Sequence, residues 1–368
     1  MRLICVVGAR PNFMKVAPIL EGAAAFPTIE CTLVHTGQHY DERMSTLFFR
    51  ELGLPQPDVY LGVGSGSHAA QTARVMLAFD EVLDTVPADW ILVVGDVNST
   101  LACSLVAAKR GVSVGHVEAG LRSGDRTMPE EINRILTDQL SDALFTTERE
   151  AEAHLAGEGI APDRIHFVGN VMIDTLLRHR DSARARGFPR TLGLGPGEYA
   201  VCTLHRPSNV DEPAAAENTV AALDHLVRRL RTVLPLHPRT RARLASFGLL
   251  ERLESMSGLV LVEPLGYLDF LALMDGARVV LTDSGGIQEE TTVLGVPCLT
   301  FRENTERPVT VTQGTNTLVG TNPERVGAAL DRLLAGELPA GRIPELWDGG
   351  SAKRILQVLA DLEAASAG

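Results

Sequence analysis

Short apolar runs alternate with helical patterns along the first half of the chain. The runs predict strands at residues 2–7, 30–36, 90–94, 112–117, 143–147 and 165–168, and the intervening patterns predict helices at 69–86, 99–110, 129–140 and 148–158. A strand that returns to the same sheet after a helix lies parallel to its neighbour. This alternation therefore indicates a parallel sheet that is covered by helices on both faces.

The same alternation restarts in the second half, after a loop rich in Gly and Pro at 187–197. It predicts strands at 199–203, 233–236, 259–262, 279–282, 298–301 and 317–319. A chain of 368 residues is too long for one ordinary core. We expect an α/β protein of two doubly wound Rossmann-like domains, 1–175 and 190–350, with a ligand cleft between them. The amphipathic tail, 351–368, could join the first domain.

The composition limits the possible partners and compartments. A net charge of −12 argues against nucleic acid, because neutralising many phosphates requires a basic face. No apolar run reaches the roughly 18 residues of a membrane span, and the first residues lack the pattern of a signal peptide. Five dispersed cysteines suggest neither a disulfide framework nor a metal site. We expect a cytoplasmic protein without a membrane anchor.

The run at 281–290, Leu-Thr-Asp-Ser-Gly-Gly-Ile-Gln-Glu-Glu, reads as a strand end followed by a helix start. The two glycines let a ligand approach the backbone, and the first N–H groups of a helix attract anions. This pattern favours a diphosphate, with Glu290 placed to bind a ribose. Alternatively, Asp283 or Ser284 only caps the helix while Glu289 and Glu290 complement its dipole.

Other polar residues directly follow predicted strands, where open α/β sheets bind their ligands. They are Arg10, Lys15, 37–41, 95–100, 116–122, 205–207, 237–238 and 306–308. Simpler explanations exist for several of them. Lys15 could be solvated surface, Asp96 a helix cap and His205 a packed loop histidine. Glu118 could pair with Arg122 or Arg134, and Glu130 could form a surface ion pair with Arg134.

The motifs taken together resemble those of the non-hydrolysing UDP-N-acetylglucosamine 2-epimerases. The matching segments are 8–11, 37–41, 95–100, 116–123, 128–134, 169–175, 203–207, 282–290 and 305–308, in the same order along nearly the whole chain. The resemblance implies a fold of the glycosyltransferase B type, a homodimer, and a UDP-sugar substrate whose UDP is held mainly by the C-terminal domain.

The resemblance also implies roles for individual residues. Nucleotide binding would fall to Arg10, Lys15, Phe270, Ser284, Gly285, Gly286, Glu290 and Arg307. The sugar and leaving phosphate would be surrounded by Asp96, Glu118, Glu130, Arg134 and His205, and all of these except Arg134 are candidate acid/base catalysts. A second, activating UDP-sugar site would use Gln38, Asp41, Arg74, Arg206 and His237. The chain departs from the family pattern at Asn12, Asp41 and Leu265.

The expected reaction inverts C2 of UDP-N-acetylglucosamine to give UDP-N-acetylmannosamine. The C2 hydrogen is not next to a carbonyl, so expelling UDP through a 2-acetamidoglucal and then re-adding it is the remaining route without oxidation. The first loop lacks the Gly-x-Gly-x-x-Gly of a dinucleotide fold, so we predict no cofactor. The alternatives are a 2-epimerase of a related UDP-diacetamido uronic acid, a UDP-sugar glycosyltransferase of the same fold, and a non-catalytic sensor. Three carboxylates, Asp96, Glu118 and Glu130, favour an epimerase.

Overall fold

The computed structural model describes residues 1–38, 49–338 and 340–366. The chain divides into two compact units, Met1–Arg178 with Glu345–Gly368, and His179–Pro344. The division falls inside a helix, eight residues before the start of the Gly- and Pro-rich loop at 187–197. Part of that loop forms a short helix that packs within the second unit. The boundary between the units therefore lies before the loop and not inside it.

The first unit contains a parallel sheet of seven strands among the described residues. The strands are β1 (Arg2–Val7), β2 (Glu30–His35), β3 (Val59–Tyr60), β4 (Trp90–Val94), β5 (Ser113–Ala119), β6 (Ala143–Thr146) and β7 (Ile165–Phe167). Their order is β3-β2-β1-β4-β5-β6-β7. The sequence did not predict β3, because two residues are too few to show a strand pattern. The order reverses between β1 and β4, which makes their carboxyl ends the expected place for a ligand.

Helices connect these strands. They are α1 (Arg10–Gly22), α2 (His68–Thr85), α3 (Asn98–Arg110), α4 (Pro129–Leu140), α5 (Arg149–Gly157) and α6 (Val171–Arg186), and the last helix of the chain, α16 (Ser351–Ser366), belongs to the same unit. The Asp174 carboxylate accepts hydrogen bonds from the backbone N–H groups of Ser351 and Ala352, at 3.2 and 2.7 Å. The buried Trp347 indole donates to the Thr147 carbonyl at 2.9 Å. These contacts dock the C-terminal segment in the first unit.

The second unit repeats the architecture with six parallel strands in the part that the structure describes. They are β8 (Tyr199–Thr203), β9 (Arg231–Pro235), β10 (Leu259–Val262), β11 (Val279–Thr282), β12 (Cys298–Thr300) and β13 (Asn316–Leu318), in the order β10-β9-β8-β11-β12-β13. The order reverses between β8 and β11. The loops after these two strands are therefore the second expected binding position.

The helices of the second unit are α7 (Phe188–Thr191), α8 (Pro207–Val210), α9 (Pro213–Val227), α10 (Pro238–Ser246), α11 (Leu250–Glu254), α12 (Tyr267–Asp275), α13 (Gly285–Leu294), α14 (Pro308–Thr312) and α15 (Pro323–Leu334). Because helices cover both faces of each sheet, the central strands are almost entirely buried. All five cysteines are free, and Cys31 alone among them is not fully buried. No helix in the described ranges is long and apolar enough to cross a membrane.

A buried histidine at the end of β2 gives the fold an expected pH dependence. His35 is 3% exposed, lies among the rings of Phe13, Phe49 and Tyr60, and accepts a hydrogen bond from the Gly37 N–H through Nδ1. Burial lowers the pKa of His35 to about 4. Between about pH 6.5 and 4 the unfolded chain binds a proton here that the folded chain does not, so the free energy of unfolding should fall by about 3 kcal/mol as the pH drops.

Denaturant unfolding of the wild type and of His35→Asn across this range checks the expectation. The Asn Oδ1 can still accept from the Gly37 N–H, so the variant keeps the local hydrogen bond but does not titrate. The stability difference between the two proteins should change across the window. Parallel curves from pH 7 to pH 4 would contradict the expectation.

Candidate active site

Asn12 connects the ends of the two central strands of the first sheet. Its Oδ1 accepts from the Gly8 and Ala9 N–H groups at 3.0 and 2.9 Å, and its Nδ2 donates to the Val94 carbonyl at 3.1 Å. Asn12 thereby fixes the turn from β1 into α1 against the end of β4. Asn12, one of the three positions at which the chain departs from the family pattern, thus has a structural role.

Lys15 and Glu118 form a buried ion pair at this edge of the sheet. Their side chains are 6% and 3% exposed, and Nζ contacts Oε2. The alternatives that placed Lys15 on the solvated surface, or paired Glu118 with Arg122 or Arg134, are therefore wrong. Lys15 also passes close under Gly95, where an added Cβ would lie 2.8 Å from Nζ.

Glu118 has an unusual backbone conformation. Its φ is +73°, and the register of β5 against β6 shifts between Val117 and Ala119. A non-glycine residue in this region costs on the order of 1–3 kcal/mol and persists when surrounding contacts hold it. Such strain concentrates at functional sites, and here it turns the Glu118 side chain toward Lys15.

Asp96 lies in a second charged cluster, which is centred on Arg134. The Arg134 guanidinium is 3% exposed and contacts Asp96 Oδ2 at 2.6 Å and Glu131 Oε2 at 2.7 Å. Asn133 Nδ2 also donates to the Asp96 carbonyl at 2.9 Å. Asp96 is not the cap of α3, because the residue at that position is Val97. Arg134 therefore fixes the Asp96 carboxylate from α4.

Glu131 is a site residue that the sequence reasoning missed. Its carboxylate accepts from the Ser123 and Gly124 N–H groups at 3.0 and 2.9 Å besides pairing with Arg134. Burial alone would raise the pKa of Glu131, but the Ser123 N–H and Arg134 outweigh it and lower that pKa. The only sequence signal was its position three residues before Arg134. The alternative in which Glu130 forms a surface ion pair with Arg134 is wrong, because Arg134 is buried and pairs with Glu131. Glu130 is half-buried in the first turn of α4.

The remaining candidates of the first unit lie around the same loops. Arg10 is exposed at the start of α1. The Gln38 amide is buried and accepts from the Ser99 N–H and hydroxyl at 2.9 and 2.7 Å. Arg74 donates to the carbonyls of Val63 and Ser65 at 3.3 and 3.0 Å.

One more contact relates the candidates for the activating site to each other. Gln71 Nε2 donates to the carbonyls of Gln38 and Gly64 at 3.0 and 2.9 Å. Gln71 therefore connects Gln38 to the segment 63–65, which Arg74 also contacts. Asp41 lies outside the described residues. The activating site stays a prediction.

In the second unit, Asp283 organises the loop that carries His205. Its Oδ2 accepts from the N–H groups of His205 and Arg206 at 3.0 and 2.8 Å and from Asn209 Nδ2 at 2.9 Å. Asp283 therefore does not act as a helix cap, and Ser284, at the cap position of α13, makes no side-chain cap hydrogen bond. The His205 side chain is 54% exposed, so the packed-histidine alternative is wrong.

The first turn of α13 lies against the guanidinium of Arg307. A Cβ added to Gly285 would lie 2.3 Å from Arg307 Nη1 and 2.8 Å from Cζ. Glu289, which is fully buried, pairs with Arg307 Nε at 2.8 Å and so orients the guanidinium. Ser284 and Gly286 are half-buried beside it. A cation and the N-terminal N–H groups of a helix thus occupy the same small region, which suits an anion.

Glu290 is held from α12. It is 3% exposed, and the Tyr267 hydroxyl donates to its Oε1 at 3.1 Å. Burial and, next to it, Glu290 raise the pKa of Tyr267 well above its ordinary value, so Tyr267 stays a donor. The half-buried Phe270 is on the same helix, and Leu265 lies just before it.

Arginines surround the buried Glu306. Arg302 contacts its two oxygens at 2.6 and 2.8 Å, and Arg307 and Arg206 lie at 3.5 and 3.8 Å. Burial would raise the pKa of Glu306, but these cations lower it well below the usual range. His237 is exposed at the start of α10, where Nδ1 accepts from the Arg239 N–H at 3.2 Å. Arg302 was not among the predicted site residues, and Glu306 was named only as one of the polar residues that follow predicted strands.

Residues 23–360 match the family model described as UDP-N-acetylglucosamine 2-epimerase. The chain belongs to the UDP-N-acetylglucosamine 2-epimerase family. Relatives in this family include the UDP-N-acetylglucosamine 2-epimerase of Methanocaldococcus jannaschii, which is 40% identical over 98% of this chain and 99% of its own. The UDP-2,3-diacetamido-2,3-dideoxy-D-glucuronate 2-epimerase of Pseudomonas aeruginosa is 39% identical over 98% of this chain and 100% of its own.

Solved structures agree with this family assignment. The Methanocaldococcus jannaschii 2-epimerase in complex with UDP-GlcNAc and UDP superposes with a TM-score of 0.91 over 98% of this chain and 99% of that chain, at 40% identity. A sucrose-phosphate synthase from Thermosynechococcus elongatus, 13% identical, has a TM-score of 0.63 over 99% and 100% of the two chains and shares the fold alone. The predicted resemblance and the two-domain α/β fold of the glycosyltransferase B type are confirmed.

The structure places most candidates of this epimerase-family chain in two sets. At the ends of β1, β4 and β5 it brings together Lys15, Asp96, Glu118 and Arg134. In the second unit, the candidates lie after β8, on α12 and α13, and before α14: they are His205, Arg206, Phe270, Ser284, Gly285, Gly286, Glu290 and Arg307. Their individual roles stay predictions.

Proposed function

We propose that this chain is a non-hydrolysing UDP-N-acetylglucosamine 2-epimerase that interconverts UDP-N-acetylglucosamine and UDP-N-acetylmannosamine. The observation that carries the proposal is the buried Glu118, held at φ +73° against Lys15. A carboxylate in a strained conformation beside a buried cation is a suitable proton-transfer group. The 40% identity to a 2-epimerase named for this substrate supports the same conclusion.

The second unit supplies groups that suit the nucleotide. Arg307 and the N-terminal N–H groups of α13 would bind the diphosphate through charge-assisted hydrogen bonds. Glu290, oriented by Tyr267, would accept hydrogen bonds from the ribose hydroxyls. Ser284, Gly285 and Gly286 would leave the backbone open to the phosphates, and Phe270 would contact the base.

The reaction is an elimination followed by an addition. A base removes the C2 proton, its C–H electron pair forms the C1=C2 bond, and the C1–O bond breaks to release UDP. The resulting 2-acetamidoglucal takes a proton at C2 on its other face while UDP oxygen re-forms the bond to C1. No electron is gained or lost, so the step requires no redox cofactor.

The residues of the first unit supply the acid and base. Asp96 follows β4, and Glu118 lies near the end of the neighbouring β5. Each carboxylate is oriented by its own cation, Arg134 for Asp96 and Lys15 for Glu118. Glu130 and His205 would complete the set of groups that handle protons and the leaving phosphate. Two acid/base groups are the minimum for delivering a proton to either face.

A second candidate substrate is a UDP-2,3-diacetamido uronic acid. The relative named for that sugar is 39% identical, nearly the same as the relatives named for UDP-N-acetylglucosamine. The same elimination would apply, because both sugars carry a 2-acetamido group. Comparing kcat/KM for the two substrates decides between them.

Incubation with UDP-N-acetylglucosamine in heavy water tests the proposal. We expect UDP-N-acetylmannosamine to form without added NAD or metal, and deuterium to enter C2 of both sugars as the proton exchanges with solvent. Proton NMR follows the loss of the C2 signal. Product that retains the original C2 hydrogen would contradict the elimination, and a glycosyltransferase would form no epimer.

We also propose that the working form is a homodimer in the cytoplasm. Ile132 and Leu136, one turn apart on α4, are 42% and 45% exposed. Apolar side chains that remain exposed on one helix face are typical of an interface. Their side chains would be covered by a second copy of the chain.

A further inference from the structure

A fully buried histidine and aspartate lie close to the backbone of two candidate carboxylates of the first unit, Asp96 and Glu118. His116, on β5, and Asp138, on α4, are both 0% exposed. Nδ1 of His116 is 2.6 Å from Asp138 Oδ1, and Nε2 is 2.8 Å from the Gly95 carbonyl oxygen. A carbonyl can only accept, so Nε2 carries a proton and donates it to Gly95.

The surroundings of Asp138 favour its ionised form. Burial would raise the pKa of Asp138, but His116 and Arg122 outweigh it and lower that pKa. The carboxylate makes the short contact with His116 Nδ1, while Nε2 donates to the Gly95 carbonyl.

The second oxygen of Asp138 extends the connection along the chain. Oδ2 accepts from the Gly120 N–H at 3.1 Å and forms an ion pair with Arg122 Nη2 at 2.7 Å. The His116–Asp138 pair therefore fixes Gly95 at the end of β4 and Gly120 just after β5. Asp96 directly follows Gly95, and Glu118 lies between His116 and Gly120.

The strand end that carries Glu118 needs external support. Gly95, Glu118 and Gly120 all have positive φ, at +69°, +73° and +78°. This conformation costs the two glycines little but strains Glu118. The Gly95 N–H donates to the Val117 carbonyl at 3.0 Å, and His154 Nδ1 lies 2.9 Å from the Gly120 carbonyl oxygen. A strained residue persists where its surroundings hold it, and the hydrogen bonds of the buried pair add to the contacts that fix the backbone at Gly95 and Gly120.

We infer that His116 and Asp138 are positioning residues that hold the backbone of Asp96 and Glu118 in the geometry required for proton transfer. The inference rests on the proposed function, since it concerns the same reaction. The pair does not itself touch the substrate. Its contribution is geometric. A substitution that keeps equivalent hydrogen bonds should therefore preserve turnover even if it removes the charge of Asp138.

The substitutions separate geometry from charge. Asn in place of His116 can still donate to Asp138 but is too short to reach the Gly95 carbonyl. Asp138→Ala removes both acceptors, whereas Asp138→Asn keeps an oxygen for the Gly120 N–H and an amide group that can donate to His116 Nδ1. Asp142→Ala is the matched structural control, because its carboxylate accepts from the Val114 N–H at 2.9 Å at the opposite end of β5.

We expect kcat to fall by about 100-fold in His116→Asn and Asp138→Ala, the usual effect of misplacing a catalytic group by about 1 Å. KM and UDP affinity should stay within about threefold, since the nucleotide-binding residues are untouched. Asp138→Asn should keep kcat within about tenfold of wild type, and Asp142→Ala within about threefold. Hydrogen–deuterium exchange of the peptide at 113–122 should be faster in the first two variants.

Several outcomes would overturn the inference. It fails if His116→Asn and Asp138→Ala lower only the melting temperature, or if kcat and UDP affinity fall together as in a partly unfolded protein. It also fails if Asp138→Asn is as inactive as Asp138→Ala, since the charge would then matter more than the geometry. If the wild type turns over neither UDP-sugar, the proposed function fails. Hydrogen–deuterium exchange at 113–122 that is the same in the variants and the wild type would overturn the positioning role separately.

Discussion

Replacing Glu118 with Gln is expected to lower kcat for C2 epimerisation by about 10²–10⁴-fold, the usual effect of removing a general acid or base. Gln keeps the size of the side chain, a carbonyl oxygen that can accept from Lys15, and the same backbone conformation. It removes the ability to take or give a proton. UDP affinity should barely change, because the Gln oxygen can still hold Lys15 and most of the proposed nucleotide-binding groups lie in the second unit.

Three measurements on this variant separate catalysis from structure: the deuterium exchange rate at C2, the calorimetric affinity for UDP, and the melting temperature. If Glu118 only neutralises Lys15, the melting temperature should fall while turnover stays within about tenfold of wild type. Glu148→Gln is the matched control, because Glu148 is also 3% exposed and follows the neighbouring strand β6. Its turnover should remain within a few-fold of wild type.

The fold could be predicted from the sequence because most of its strands are short apolar runs between clear helical patterns. Strands Trp90–Val94 and Val279–Thr282 and helix Pro129–Leu140 have the predicted bounds. Strand β5 instead ends at Ala119, two residues past the predicted end, and so includes Glu118. A charged residue at positive φ does not read as strand, so the sequence alone could not show the bulge that orients this side chain.

The site could be predicted only in outline. The rule that ligands bind beyond the carboxyl ends of strands placed Lys15, Asp96 and Glu118 near one another, and the structure brings them together. The partners of each charge could not be predicted, because they depend on which helix face packs on which loop. Arg134 pairs with Glu131 rather than Glu130. Glu131 lies three residues before Arg134 on α4 and is buried under the loop at 123–124, whose N–H groups donate to its carboxylate.

Asp283 shows the same limit in the second unit. Its position before a helix suggested a cap, which is the common local use of Asp. The actual partners are backbone N–H groups of the loop after β8, which is distant in sequence and adjacent only because β8 and β11 pair. Local sequence rules describe the chain near a residue, whereas the sheet order determines its neighbours.

The second large effect is expected at the first turn of α13. Gly285→Ala should weaken UDP binding by about 10- to 100-fold, the amount expected from losing a charge-assisted contact to the diphosphate. The added Cβ would lie 2.3 Å from Arg307 Nη1 and would displace the guanidinium from the helix end. Ala is a better helix former than Gly by about 1 kcal/mol, so the helix itself should not be weakened.

A double-mutant cycle with Arg307→Ala tests this cause. Arg307→Ala alone should weaken UDP binding by a similar factor, and the melting temperature should also fall because Glu289 stays buried after losing this cation. In the Arg307→Ala background, Gly285→Ala should have little further effect, since the side chain that it displaces is gone. Isothermal titration calorimetry with UDP on all four proteins measures the coupling.

Gly157→Ala provides the control for the substitution itself. Gly157 ends helix α5, and a Cβ there would meet nothing within 4 Å, so its UDP affinity should equal that of the wild type. If Gly285→Ala weakens UDP binding equally with and without Arg307, the methyl group blocks the ligand directly and the guanidinium is not its target. If neither Gly285→Ala nor Arg307→Ala changes the affinity, the diphosphate does not bind at the N-terminus of α13.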